Sequence, residues 1–182
     1  MYRCFILFDS KGNKGVNGLL PTDRPNVVKL YGSYTFKWGT EVGTNFYGGS
    51  GTPLSTYAWT INTIPIFVNG RGDMGRTDPL YQTDLVIAHT VKVGERMRIR
   101  FEANVINLFN QKTQRHRFTD LNREQRASSQ MNLKPIDLTK GYDYNALIRA
   151  SPDGAKAYDP RFGQTDLWNT GMQGRLGVRF TF

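Results

Sequence analysis

The side chains best able to do chemistry in this chain are a few carboxylates, two histidines and a scatter of arginines. Glu41, Asp84 and Glu102 occupy positions that can share one polar face of a β-sheet, and paired carboxylates can carry general acid/base catalysis. No histidine or serine stands in a nucleophile arrangement beside them. Arginines at matching positions give the simpler account, a salt-bridged polar wall, so no catalytic residue and no enzyme activity are expected. His89 and His116 are isolated from each other, and Cys4 is the single cysteine, leaving neither a metal-ligand spacing nor an internal disulfide. No metal or cofactor is expected. Arg71-Gly72-Asp73 spells an integrin-type tripeptide, but such a triplet arises readily by chance in a glycine-rich loop. Gly70 to Gly75 do not lie between a strand and a helix start, so they form no phosphate cradle.

The elements that must position these residues show in a period-two alternation that recurs in segments of about ten residues. At the end of the chain Met172, Gly174, Leu176, Val178, Phe180 and Phe182 alternate with Gln173, Arg175, Gly177, Arg179 and Thr181. Between Arg96 and Asn107, Met97, Ile99, Phe101, Ala103 and Val105 alternate with Arg98, Arg100, Glu102 and Asn104. Val28, Leu30, Tyr34 and Phe36 stand against Lys29, Tyr31, Ser33 and Thr35, and Val42 and Phe46 against Glu41, Asn45 and Tyr47. Tyr81 to Val91 alternates less cleanly. Strands are therefore expected near 27–36, 40–48, 81–91, 96–107 and 172–182.

Connection lengths alternate too. Lys37-Trp38-Gly39 and Lys92 to Glu95 are tight turns, whereas 49–80 and 108–171 are long. Within the longer one, 119–131 reads as a short helix capped by Thr119 or Asp120, and 145–150 as a further turn. Short turns at one end and long loops at the other is the layout of an outer-membrane barrel, and a compact soluble domain seldom holds such long connections.

The composition agrees with that layout. The chain has 182 residues, 24 Lys+Arg against 15 Asp+Glu, a formal charge of +9 and 38% hydrophobic residues. No segment approaches the ~18 uncharged apolar residues of a membrane helix. The apolar run from Cys4 to Phe8 is too short for a signal peptide and lacks a cleavage site. A transmembrane strand needs apolar residues only at alternate positions, which frees the others to be charged. Ten residues at about 3.3 Å each, tilted by about 45°, rise roughly 23 Å, close to the ~25 Å apolar band of such barrels. The expected fold class is all-β, an antiparallel transmembrane β-barrel segment of about five strands with long extracellular loops. Lumen-facing positions are then Lys29, Glu41, Asn45, Asp84 and Asn104, together with Arg98, Arg100, Glu102, Arg175 and Arg179.

Several short motifs, in order, resemble the C-terminal barrel region of TonB-dependent outer-membrane receptors of the Oar-like type, whose members carry a carboxypeptidase-regulatory-like domain. Asp23-Arg24-Pro25-Asn26 followed by Lys29-Leu30-Tyr31-Gly32-Ser33-Tyr34 resembles a "DRPH, K-L-x-G-x-Y" strand entry, with Asn26 in place of the usual His. Ser50-Gly51-Thr52-Pro53 is similar to "SGTP", and Gly70 to Thr77 to "GRGxxGRTP", with Asp78 interposed before Pro79. Thr83-Asp84-Leu85, Asn104 to Asn110 ("N-x-x-N-L-F-N"), Asp159 to Gly163 ("DPRFG") and the terminal Gly177 to Phe182 complete the series.

The resemblance implies that Leu176, Val178, Phe180 and Phe182 form the C-terminal signal read by the barrel-assembly machinery. It implies outer-membrane lipid as a partner, residence in the outer membrane of a Gram-negative bacterium, and coupling to the TonB energy-coupling complex through regions upstream of Met1. Complete barrels of this kind have about 22 strands, so the chain is expected to be a C-terminal fragment, inactive alone, with Met1 an internal or mispredicted start. The long loops would supply contacts to an unidentified transported ligand, with Trp59, Phe67, Arg71, Arg115, Arg117 and Tyr144 as the candidate contacts. The competing account is a soluble basic β-sheet module that binds polyanions or nucleic acid through Arg98, Arg100, Arg175 and Arg179. The basic residues are scattered, with no run of five or six, and no second layer is evident to cover the apolar faces, so nucleic acid is not the expected partner.

Overall fold

The computed structural model describes residues 8–13, 17–61, 64–134 and 136–182. In chain order the elements are β1 (Val27–Thr35), β2 (Thr40–Gly49), β3 (Tyr57–Thr60), β4 (Ile64–Phe67), β5 (Leu80–Val93), β6 (Met97–Ile106), β7 (Gln114–Arg117), α1 (Tyr144–Arg149), β8 (Thr165–Trp168) and β9 (Gln173–Thr181). The fold is all-β with antiparallel sheets, and no helix among the described residues is long and apolar enough to cross a membrane. Two compact units form: Met1–Asp23, Thr52–Thr77 and His116–Leu167 in one, Arg24–Gly51, Asp78–Arg115 and Trp168–Phe182 in the other.

The second unit is a five-stranded sheet in the order β1-β2-β5-β6-β9. It is open, since β1 and β9 each have one edge unpaired among the described residues. Two tight turns set its register. Gly39 has φ 91° and a Cβ there would lie 2.7 Å from the Thr90 carbonyl oxygen, while Gly94 turns β5 into β6 at φ 70°. Both are left-handed positions that glycine takes without penalty. β5 runs three residues beyond the predicted 81–91, from Leu80 to Val93.

The first unit holds the buried core. Ala58, Ile66, Val68, Met131, Ile148 and Ala157 cluster together, with Leu121, Tyr142 and Tyr144 among the side chains packed against them. In the five-stranded sheet, Ala88 is the one buried hydrophobic residue among those described. The segments 49–80 and 108–171, expected as loops, thus build a unit with its own interior. The hairpin β3/β4 buries Ala58 and Ile66 on one side and turns Tyr57, Trp59 and Phe67 to the other.

Segment 119–131 is not the expected helix. Its backbone pairs with β3: the Tyr57 N–H donates to the Thr119 carbonyl, the Leu121 N–H to that of Tyr57 and the Met131 N–H to that of Trp59, at 2.8–2.9 Å. Asn122, fully buried, completes the edge by accepting from the Trp59 N–H at 2.7 Å and donating to the Trp59 and Ser129 carbonyls. Satisfying a strand edge outweighs the local helix signals, because each unpaired buried amide costs about 1–3 kcal/mol. The helix that forms is α1, capped by Asp143, whose carboxylate accepts from the Asn145 and Ala146 N–H groups.

Candidate functional site

Residues directly opposite in an antiparallel sheet share a face, so the register assigns every strand position. One face carries Lys29, Glu41, Asn45, Asp84 and Asn104 together with Arg98, Arg100, Glu102, Arg175 and Arg179. Near its middle Glu41 lies opposite Ala88, and Ala88 opposite Glu102. Arg100 reaches over the small Ala88 side chain to Glu41 at 2.8 Å and contacts Glu102 at 3.5 Å, while the Asn104 amide donates to Glu102 at 3.2 Å. Toward the Gly94 turn, Lys92 faces Arg98 and Arg100 faces Arg179. This arrangement is a polar wall. Its carboxylates bond to Arg100, to Asn104, to the Gln82 amide and to the Asn107 N–H.

The opposite face is apolar and open. Leu30, Tyr34, Ile87, Val91, Phe101 and Met97 lie on it, and so do Leu176, Val178 and Phe180, with Leu176 91% exposed and Phe182 at the chain end 98% exposed. His89 shares this face and bonds through Nδ1 to Thr40 Oγ1 at 2.8 Å, so each polar group meets the other. At the turn end Phe36 stacks on Trp38 with centroids 4.3 Å apart and meets Tyr34 edge-on at 4.8 Å.

The motifs noticed in the sequence meet one another. Arg24 donates to the Ser50 carbonyl and the Asn26 N–H to Ser50 Oγ, while Asp23 pairs with Arg76. The Thr52 N–H bonds Thr77 Oγ1 at 3.0 Å, the Leu54 N–H the Gly75 carbonyl at 2.8 Å, and the Gly72 N–H Ser55 Oγ at 2.8 Å. Asp73 of the tripeptide accepts from the Thr56 N–H at 2.7 Å, from the Thr56 hydroxyl and from Asn69, which commits it to the loop's own architecture. Asp84 accepts from the Asn107 N–H at 2.9 Å, and the Asn107 side chain donates to the Gln111 and Thr170 carbonyls and accepts from the Gln111 N–H. Asn110 accepts from the Met172 N–H at 3.0 Å, closing β6 onto the start of β9.

The expected ligand-contact residues stand on different elements. Arg71 lies over the Phe67 ring at 4.2 Å, and Phe67 packs on Tyr57 at 4.8 Å. Trp59 shares that hairpin face, Tyr144 packs against the core, and Arg115 and Arg117 stand on β7. His116, also on β7, pairs with Asp166 at 2.7 Å. A cleft that the sequence did not disclose lies elsewhere in this unit, with a volume of about 490 Å³ and a lining that includes Phe118, Asp120, Arg123 and Arg161. Arg161 covers the Phe118 ring at 4.3 Å and grips Asp159 through two bonds of 2.9 and 2.6 Å, holding the Asp159 carboxyl below its ordinary range. Burial, followed by the negative charges of Glu124 and Asp159, pushes the Asp120 carboxyl upward. Only the Asp-Pro-Arg-Phe-Gly segment hinted at this place, since the other lining residues arrive from the segment that wraps β3.

No family model matches the chain, and no solved structure matches it. The chain is similar to the TonB-dependent transporter Oar of Myxococcus xanthus, with 28% identity over 183 residues, covering 91% of this chain and 17% of that transporter. It therefore spans less than a fifth of the length of the curated relative it matches. The open antiparallel sheet and this alignment together establish distant similarity to one stretch of a TonB-dependent transporter.

Proposed function

We propose that this chain is a wall segment of an outer-membrane β-barrel of the Oar-like TonB-dependent receptor family. The observation that carries this reading is the open apolar face, with Leu30 62%, Phe180 64% and Val178 55% exposed, backed in register by the charged face of the same strands. A face this large and apolar is a contact surface, and lipid suits it because the inner strands β2, β5 and β6 are paired on both sides. In this reading the polar wall lines the lumen, Leu176, Val178, Phe180 and Phe182 are read by the barrel-assembly machinery, and the unit built on β3, β4 and α1 stands outside the cell. Ligand uptake and coupling to the TonB complex belong to the complete receptor, and the chain acts in neither alone. It performs no catalysis and binds no nucleic acid.

Cysteine labelling tests this reading. With Cys4 replaced by Ser, single cysteines at Val178 and Arg179 are introduced into the full receptor in vesicles. Val178→Cys should react with a lipid-soluble maleimide and resist a charged one, and Arg179→Cys should do the reverse. Equal reaction of both with the charged reagent would mean a soluble sheet.

A further inference from the structure

The charges on the polar face of the five-stranded sheet do not cancel. Its strand positions hold the cations Lys29, Lys92, Arg98, Arg100, Arg175 and Arg179 against the carboxylates Glu41, Asp84 and Glu102. Glu41 and Glu102 both contact Arg100, and Asp84 bonds Gln82 and Asn107. Lys92, Arg98 and Arg179 are exposed and make no ion pair among the described residues. These three gather toward the Gly94 turn. Lys92 stands directly opposite Arg98, and Arg179 is the diagonal neighbour of Arg98, which opposes Thr181. Opposite positions lie about 5 Å apart and diagonal ones about 7–8 Å, and like charges directly opposite destabilise a sheet. An anion seated among them would remove that cost. Their long side chains can close on one ligand at these spacings, and the Thr181 hydroxyl on the same face offers a further donor. In the turn itself Arg96 and Glu95 balance each other in charge.

We propose that Lys92, Arg98 and Arg179 bind a small ligand carrying a diphosphate group. A single phosphate monoester holds about −1.5 to −2 charges near neutral pH, so two adjacent phosphoryl groups match three cations better than one does. The guanidinium forks of Arg98 and Arg179 fit pairs of phosphate oxygens, and the Lys92 ammonium adds a point charge. The proposal deepens the barrel reading, on which it rests for placing the site in the lumen, by naming the class of ligand that the wall holds. Binding itself needs only the sheet. Cysteine labelling of the two faces therefore tests the barrel, and titration tests the site.

Calorimetric titration of the full receptor in detergent tests it, with inorganic diphosphate, inorganic phosphate, citrate and a short single-stranded oligonucleotide at constant ionic strength. Diphosphate should bind best. Lys92→Gln, Arg98→Gln and Arg179→Gln should each weaken it about threefold to fivefold, as expected for exposed charge contacts, and Arg179→Lys should lose less than Arg179→Gln. Lys29→Gln, on β1 at the other side of the same face, should leave the affinity unchanged. Heat-modifiable migration on a gel shows that each variant is assembled. Equal binding of citrate, phosphate or the oligonucleotide, wild-type affinity in the three assembled glutamine variants, or an equal loss in Lys29→Gln would each overturn the proposal.

Discussion

Glu41 and Arg100 meet at 2.8 Å although they belong to β2 and β6, with β5 running between them. The crossing exists because β5 presents Ala88 at that point, a side chain too small to stand in the way. Both partners are about one-third exposed, with side chains 31% and 34% accessible. A double-mutant cycle of Glu41→Gln and Arg100→Gln should therefore return a coupling of no more than about 1 kcal/mol. Ala88→Leu, which fills the crossing, should cost about 1–3 kcal/mol in urea unfolding and remove most of that coupling.

The two faces of β9 should respond oppositely to charge. Val178 lies on the apolar face and its neighbour Arg179 on the polar one. In the full receptor, Val178→Arg should block assembly, since a cation at mid-depth of a lipid face costs about 2–4 kcal/mol. Arg179→Gln should assemble normally. Heat-modifiable migration on a gel reads both, and assembly of Val178→Arg at wild-type yield would remove the lipid face.

Asn107 clasps β6 to the start of β9 from a left-handed backbone position, φ 54°, at 1% exposure. Alanine would leave the Gln111 N–H and the Thr170 carbonyl without the side-chain partner they use now. Asn107→Ala should cost about 2–3 kcal/mol. Asn107→Asp keeps the acceptor but loses the donors, and should fall between alanine and wild type in chemical unfolding.

The unit built on β3, β4 and α1 should show two opposing pH responses. Hydrogen bonds from Ser129 and Ser128, then the charge of Arg126, hold Asp153 below the ordinary carboxylate range. Its stabilisation is present above the unfolded carboxylate value and is lost as pH falls through the lower folded one. Asp120 is raised, chiefly by burial. Its unfolded form ionises first, so this residue subtracts stability as pH rises from the unfolded value through the folded one. Near neutral pH, Asp153→Asn should speed amide exchange in this unit and Asp120→Asn should slow it. At pH 2 to 3, where both carboxyls are more fully protonated, both differences should shrink.

Reading of the chain worked best where chemistry repeats at short range. Alternation of Val178 with Arg179, or of Phe101 with Arg100, needs only the two-residue period of a strand, and that period assigns faces without any partner. The tight turns at Gly39 and Gly94 were legible for the same reason. Segment 119–131 defeated such reading because its cap-like Thr119 and Asp120 are local signals, while its backbone bonds are made to β3 some sixty residues earlier. The cleft was hidden likewise, since Asp120 and Arg123 come from that wrap and Arg161 from a distant loop.

By itself the sequence determined that these strands have one apolar and one charged face, and it placed Lys29, Glu41, Asp84, Arg98 and Arg179 among the polar positions. Tertiary structure decided that Arg100 would reach Glu41 over Ala88, that the motifs would clasp each other, and that the long connections would enclose a core around Ile66, Met131 and Ile148. The division has a physical cause. Side-chain direction along a strand is set by adjacent peptide units, whereas register, edge satisfaction and core packing depend on which distant segments pay the entropy of meeting.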